Sequence, residues 1–336
     1  MKLNYYFHPT PNLKNLEQRL LVLSEALKLL PHLPMFTVNW QRQSLLKSSL
    51  FSARIEGNNL QPQNLTEVFS SPKTKAKQEI INLYRAMRWL YSTKCPKQLS
   101  PTLILKLHRL TMQTLISPAG SWRREMGAIF NQAGVAVYLS PPPDEIIRLV
   151  ADLIKQTNRS SASGFVKAAQ FHFIFEKIHP FLDGNGRVGR LLSNFLLKQS
   201  GLDFNGALIF EEYLENNRQN YYDLLADNSK DITPFVEFFT RGLVNQAEKI
   251  IHAAETAAIN PEDNLLPRRQ EILAIIKDHQ TITFDFLKRR FLAIPERTLH
   301  YDLQQLLKKG FIRKLGSTRG AVYLPASSSA AAEAAA

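Results

Sequence analysis

Twelve consecutive residues, His179-Pro180-Phe181-Leu182-Asp183-Gly184-Asn185-Gly186-Arg187-Val188-Gly189-Arg190, combine an imidazole, a carboxylate, a glycine-rich turn and two guanidinium groups. That set suits a polyphosphate, a divalent cation and a proton transfer. His179 is the side chain able to accept a proton near neutral pH. Glycines at 184 and 186 let the backbone approach a ligand closely. Arg187 and Arg190 are three apart, so both can line one side of a first helical turn and offer forks to phosphate oxygens. Free N–H groups at that helix start add an anion site. Asp183 beside bound phosphates would need a bridging cation. Mg²⁺ is the usual one, held by one or two carboxylates plus the phosphates.

Two helices must position this turn. Phe165, Ala168, Phe171, Phe175 and Ile178 recur at steps of three and four and predict a buried helix. It should stop at His179, because Pro180 disfavours helix for the residue before it. A second helix should start near Arg187, with Leu191, Leu192, Phe195 and Leu196 as its apolar face. Further helical spacing falls on the stripe Leu13 to Leu27 and near 78–93, 102–117, 143–156, 218–226 and 233–254. Strand signals are sparse. Residues 127–139 read as a β-hairpin with a polar turn, stopped by Pro141-Pro142-Pro143.

A second segment, Ser52-Ala53-Arg54-Ile55-Glu56-Gly57, ends an amphipathic helix expected from about Val38. Ser52 and Glu56 are four apart and share a face. Gly57 suits the left-handed stop after a helix. Glu56 in the last turn opposes the helix dipole by ~0.3–1 kcal/mol, so a cation from elsewhere would relieve it. Arg54 lies on another face.

The 336 residues carry a formal charge of +13, which favours an anionic partner such as nucleotide or nucleic acid. A single cysteine, Cys95, excludes an intrachain disulfide and a thiolate cluster, and fits a reducing cytoplasm. The start has no signal-peptide core, and no apolar run approaches ~18 residues, so no membrane partner is expected.

The segment His179–Arg190 resembles the Fic-domain signature His-Pro-Phe-x-Asp/Glu-Gly-Asn-Gly-Arg-x-x-Arg at all nine specified positions, and the resemblance extends over about residues 35–245. It implies a mainly α fold, a Fic-type helical core with a small hairpin flap. It implies AMP transfer from ATP to a Tyr, Thr or Ser hydroxyl of a target protein. His179 would deprotonate that hydroxyl, and Asp183 would hold Mg²⁺ on the α- and β-phosphates. Gly184, Asn185 and Gly186 would cradle the phosphates, with Asn185 on the α-phosphate. Arg187 and Arg190 would bind the β- and γ-phosphates, and Phe181 would anchor the core. The hairpin, through Ile129, Phe130, Val135 and Val137, would register the target segment by strand pairing. Tyr222 and Asn228 resemble residues lining the adenine pocket. The segment Ser52–Gly57 resembles the family's inhibitory motif, Ser/Thr-x-x-x-Glu-Gly/Asn, in the class with intramolecular N-terminal inhibition. There the Glu pairs with the second signature arginine, here Arg190. The resemblance leaves a homodimer open. It also leaves open AMP removal with Glu56 positioning a water, transfer of another nucleotide or phospho group, and an ATP-sensing transcription regulator.

The chain is expected to divide into an N-terminal helical region (1–110), the Fic core (111–250), a linker (251–264), a C-terminal module (265–325) and a low-complexity tail (326–336). The module reads as three helices and a two-stranded wing, which resembles a winged helix-turn-helix. Between 262 and 325 stand twelve Lys/Arg and seven Asp/Glu, a net +5. Arg297, Thr298, His300 and Tyr301 fall on the first turns of the third helix, where groove contacts are made, and Lys314 and Arg319 on the wing. DNA and a protein partner both stay open for it.

Overall fold

The helical spacing dominates, and the computed structural model is mainly helical. It describes every residue except 1–3, 30–32, 70–73, 131–135, 257–261, 263–264, 293, 317–319 and 327–336. Two units form, Met1–Thr256 and Ala257–Ala336. In the first, α1 (Pro11–Leu29), α2 (Leu33–Ile55), α3 (Lys75–Leu90) and α4 (Pro101–Met112) precede a hairpin of β1 (Ala128–Phe130) and β2 (Ala136–Leu139). There follow α5 (Ile146–Arg159), α6 (Gly164–Ile178), α7 (Asn185–Gln199), α8 (Phe210–Asn216), α9 (Arg218–Ala226) and α10 (Thr233–Thr256).

The two motif-bearing helices sit at the centre. α6 packs along α7 and also meets α5 and α10, while α7 meets α3 and α4. Almost every side chain of α6 is buried, including Glu176 and Lys177, as befits a helix with neighbours on all sides. Its Phe165, Phe171, Phe173 and Phe175 are nearly solvent-free. α2 docks on α3 and α8. Its docking face carries buried serines, Ser44, Ser48, Ser49 and Ser52, among Leu45, Leu50, Ala53 and Ile55. Ser48 donates to the buried Glu211 of α8, which also accepts from Asn194 of α7 (2.8 Å). A polar tie of this kind fixes the azimuth of α2 and therefore the direction of Glu56.

Several element ends differ from the sequence expectation. α4 stops at Met112 rather than 117, and Thr114 takes φ 65°. Asn82 of α3 donates to the Thr111 and Gln113 carbonyls (3.2 and 2.7 Å), satisfying acceptors that a continued helix would have used. α2 begins at Leu33 rather than near Val38, with Pro34 inside its first turn, where a missing N–H costs nothing. α10 runs to Thr256, into the stretch read as linker. No break in packing falls at 110, because one core runs from Tyr5 to Ile250.

In the hairpin, Ala128 faces Leu139 and Ile129 faces Tyr138, but Phe130 faces Ala136, so Val137 is the extra residue of a bulge. Of the four residues expected to register a target, Ile129, Phe130 and Val137 lie on these strands, and Val135 lies outside the described residues.

The second unit contains α11 (Pro267–His279), β3 (Ile282–Thr283), α12 (Phe284–Arg290), α13 (Glu296–Lys308), β4 (Ile312–Leu315) and β5 (Val322–Pro325). Ile272, Ile276, Leu287, Leu299, Leu303 and Tyr323 are among its core residues. The sheet has three strands in the order β3-β5-β4, where two were expected. β3 pairs Ile282 with Tyr323 and is too short to show a period. The buried Asp302 of α13 accepts from Arg268 and Arg269 of α11 (2.5 and 2.8 Å). Lys314 lies on β4, and Arg319 lies outside the described residues.

Candidate functional site

The turn between α6 and α7 is built against its residues' ordinary preferences. His179 caps α6 in the left-handed region (φ 49°, ψ 59°), with its N–H on the Phe175 carbonyl (2.9 Å). Non-glycine residues adopt that conformation only where the surroundings hold it. Phe181 supplies part of the hold. Its buried ring stacks on His108 (3.8 Å, 1°) and lies 5.0 Å from Trp122. The His108 Nδ1 accepts the Gly120 N–H (2.7 Å), so its Nε2 carries the proton and donates to the Asp183 carbonyl (3.1 Å). Burial drops the His108 pKa to about 4, which keeps this neutral tautomer. Gly184 has φ 86°, and a Cβ there would lie 2.7 Å from the Met112 sulfur, so only glycine fits. Phe181→Ala should destabilise the first unit by about 3–5 kcal/mol, as for other buried phenylalanines, read as a lower urea midpoint at unchanged m-value.

Asn185 is tied to the loop before it. Its side-chain oxygen accepts from the Phe181 N–H and its NH₂ donates to the Phe181 carbonyl, both at 2.9 Å. The side chain therefore braces the loop. Its place at the start of α7 still leaves first-turn N–H groups facing the anion position.

Both arginines are held by carboxylates. Arg190 is 1% exposed. It donates through Nε to the Ser52 hydroxyl (3.0 Å) and through one Nη to the Ser52 carbonyl (2.9 Å) and Glu56 (2.8 Å). Its other terminal nitrogen is buried without a partner. Burial pushes the Glu56 carboxyl up, but Arg190, Arg187 and Arg218 together pull it below the usual carboxylate range. Glu56 lies directly over the first turn of α7, where a Cβ on Gly186 would sit 2.5 Å from its oxygen. Gly57 takes φ 97°, with its N–H on Arg54 and the Asn58 N–H on Ala53, a Schellman stop that releases the chain just after Glu56. Arg54 pairs elsewhere, with Glu215 (2.8 Å). Arg187 bridges Asp183 (2.6 Å) and Glu79 of α3 (2.5 Å), and Glu79 also accepts from Asn58 (2.8 Å).

The Asp183 carboxylate is half exposed, and its protein contacts are Arg187 and the Gly184 N–H (2.6 Å). One such carboxylate at the edge of an anion site fits Mg²⁺ shared with phosphates. Among the described residues no cluster of three or more His, Cys, Asp or Glu could hold a metal without them.

Burial depresses the His179 pKa to about 4; a hydrogen bond to the Glu176 backbone opposes this, as do Glu56 and Asp183, and Arg123 adds to it. The ring is therefore neutral at physiological pH. An imidazole, a carboxylate, two guanidinium groups and a helix N-terminus thus converge on one turn, with a second helix laying a carboxylate across it.

The Fic/DOC family model matches residues 98–197, which span α4 to α7 and the whole turn. The chain carries a Fic/DOC family domain. The chain is 30% identical over 234 residues to a probable protein adenylyltransferase of Aquifex aeolicus, covering 69% of this chain and 66% of that protein. It is 32% identical over 212 residues to the protein adenylyltransferase Fic of Aedes aegypti, covering 59% of this chain. The match takes in only 40% of that mosquito protein. A Fic family protein from Desulfovibrio desulfuricans shares the fold, with a TM-score of 0.70 at 22% identity over 97% of this chain and 99% of that one.

The adenine-pocket candidates of the Fic domain separate. Tyr222 donates to the Ile55 carbonyl (3.1 Å), and the Arg218 guanidinium lies over its ring at 5.7 Å. It therefore ties the end of α2 to α9, beside Glu56. Asn228 is exposed beyond α9. Sequence reasoning missed Glu79, His108, Arg123 and Glu176. The buried Glu176, raised by its burial to a pKa of about 8, packs so close to Gly189 that a side chain there would collide with it. That explains a glycine inside a helix, a signal the sequence did show at an unspecified motif position.

Proposed function

We propose that this protein transfers AMP from ATP to a hydroxyl of a target protein, and that Glu56 holds the reaction off. The observation that carries the reading is the carboxylate of Glu56 on Arg190 over the N-terminus of α7, the place a terminal phosphate would take. The names of the Aquifex and Aedes relatives support the same chemistry. When ATP is seated productively, first-turn N–H groups of α7 and Arg187 bind its phosphates, and Arg190 takes the γ-phosphate that Glu56 displaces. Asp183 would hold Mg²⁺, which supplies charge neutralisation to the phosphates. His179, neutral and at the turn, accepts the proton of the attacking hydroxyl. The hydroxyl oxygen bonds to the α-phosphorus, the bond to the β-phosphate bridging oxygen breaks, and pyrophosphate leaves. With Glu56 in place the γ-phosphate is pushed aside, and a displacement of ~1 Å at the reacting centre costs ~10²-fold.

The test is incubation with Mg²⁺ and ATP labelled at the α- or the γ-phosphate. Label in protein from the α position alone supports AMP transfer. Label from the γ position points to phosphoryl transfer. Nucleotide binding without covalent label points to a sensor, and loss of AMP from a pre-modified protein to removal chemistry.

For the second unit we read duplex DNA as the partner of a winged helix. Arg297, His300 and Tyr301 are exposed on the first turns of α13, and Arg289 and Arg290 at the end of α12. His300 stacks on Phe284 (3.8 Å), and Arg269 lies 5.4 Å from the Tyr301 ring centroid, so both rings are held in place. Thr298 is half-buried and plays less part. Binding of the full chain to duplex DNA should weaken steeply with salt, and Arg297→Glu should reduce both affinity and slope. No binding at low salt would contradict it. The same chain without a membrane-length apolar helix among its described residues, and with one cysteine, fits the cytoplasm.

A further inference from the structure

The buried guanidinium of Arg123 is hydrogen-bonded to neither phosphate arginine nor the inhibitory helix, yet it reaches the start of the turn that carries the base. It is 5% exposed. Its Nε donates to the His179 carbonyl (2.7 Å). One Nη donates to the Glu125 carbonyl (2.7 Å) and the other to the Pro141 carbonyl (2.5 Å). The Ile178 carbonyl lies at 3.5 Å, and the backbone N–H of Arg123 donates to Pro180 (3.0 Å). These partners are all backbone carbonyls. Three of them close α6 and its His-Pro turn, where unsatisfied carbonyls and the negative end of the helix dipole favour a cation. Glu125 and Pro141 are the two stems of the hairpin.

The hairpin is shaped around this side chain. Gly127 and Ser140 close its base through the Ser140 N–H on the Gly127 carbonyl (2.9 Å). A Cβ on Gly127 would lie 3.2 Å from the Arg123 Nε and 3.4 Å from its Cζ. Gly127 has no left-handed φ to explain it. The glycine makes room for the guanidinium.

We propose that Arg123 is a positioning residue that locks the catalytic imidazole of His179 in register with both stems of the hairpin. A hydroxyl presented along the hairpin then arrives at a fixed distance from the base. The proposal deepens the adenylyltransfer reading and rests on it for the identity of the base. A planar fork with donors on three nitrogens is required; an ammonium cannot reach the two stems and the turn together.

The test uses the full chain carrying Glu56→Gly, alone and combined with Arg123→Lys or Gly127→Ala. The first added change keeps the charge and loses the fork. The second keeps the guanidinium and displaces it. Measured are kcat for AMP transfer, the Kd for ATP by calorimetry, and amide hydrogen exchange at His179 and Ser140. Arg123→Lys should lower kcat by ~10²-fold, the size of a small misplacement, while the ATP Kd stays within about threefold. Amides at His179 and Ser140 should both exchange faster. Gly127→Ala should move all three readouts in the same directions by less. Unchanged kcat in both variants would overturn the proposal, as would ATP affinity falling in step with kcat, or exchange rising at one amide alone. If the Glu56→Gly parent transfers nothing, the adenylyltransfer reading fails, and the paired exchange response decides the Arg123 lock by itself.

Discussion

Glu56→Gly is expected to raise AMP transfer by about 10²-fold at saturating ATP, with self-modification among the products. Arg190 is nearly solvent-free, and its Nε and one Nη are spent on Ser52 and Glu56, so a γ-phosphate must meet the guanidinium beside the Glu56 carboxylate. Ser52 supplies neutral partners, which a phosphate can share Arg190 with; Glu56 supplies a negative charge, which it cannot. The carboxylate also overhangs Gly186, within the first turn of α7 that must accept the phosphates. Removing it clears charge and volume together. The cost appears in the resting protein, where a buried guanidinium loses its counter-charge. Glu56→Gly should therefore melt earlier than the parent without nucleotide, and should gain more from added ATP, since a ligand that binds the folded state stabilises it. A variant that melts early, gains from ATP and still transfers nothing would separate release of the arginine from catalysis.

His179→Ala in the Glu56→Gly background should lower transfer by about 10²–10⁴-fold, the range of a lost general base, while ATP affinity stays near the parent's. The two arginines of α7 do not depend on the imidazole for their contacts. The pH profile adds an independent check. Burial lowers the His179 pKa to about 4. A base must be unprotonated, so its acidic limb should fall near or below pH 5 rather than at an ordinary histidine's 6.5, and transfer should show no His179 limb between pH 6 and 8. For stability the sign is the same. A histidine whose folded pKa is depressed favours the folded state above its unfolded pKa, and that stability drains away as pH falls from about 6.5 toward the folded value. His108, at about 4, and the fully buried His172, at about 3, add to the same loss.

The motif itself was legible because its residue types are costly together and its spacing is short. Its flanking helices were legible from their apolar spacing, Phe165, Phe171, Phe175 and Ile178 in one and Leu191, Leu192, Phe195 and Leu196 in the other, and these residues are buried at the centre. Spacing put Ser52 and Glu56 on one face, but only the resemblance named Arg190, 134 residues away, as their partner. Long-range polar contacts were out of reach. Arg123 and Arg124 are neighbours of one type, and only the folded chain buries the first and exposes the second. Glu79 meets Arg187 across 108 residues with no local pattern to announce it. The end of α4 depends on Asn82 of another helix, and β3 depends on β5.

The proposed silencing of the site rests on the charge of Glu56 on Arg190. The most direct measurement is the initial rate of transfer from α-labelled ATP with Mg²⁺ by Glu56→Gln, beside the parent and Glu56→Gly. Glutamine keeps nearly the shape of glutamate and removes the charge. The expected rate is well above the parent's and approaches that of Glu56→Gly. A Glu56→Gln rate equal to the parent's, or a Glu56→Gly variant that binds ATP and remains as slow as the parent, would contradict it.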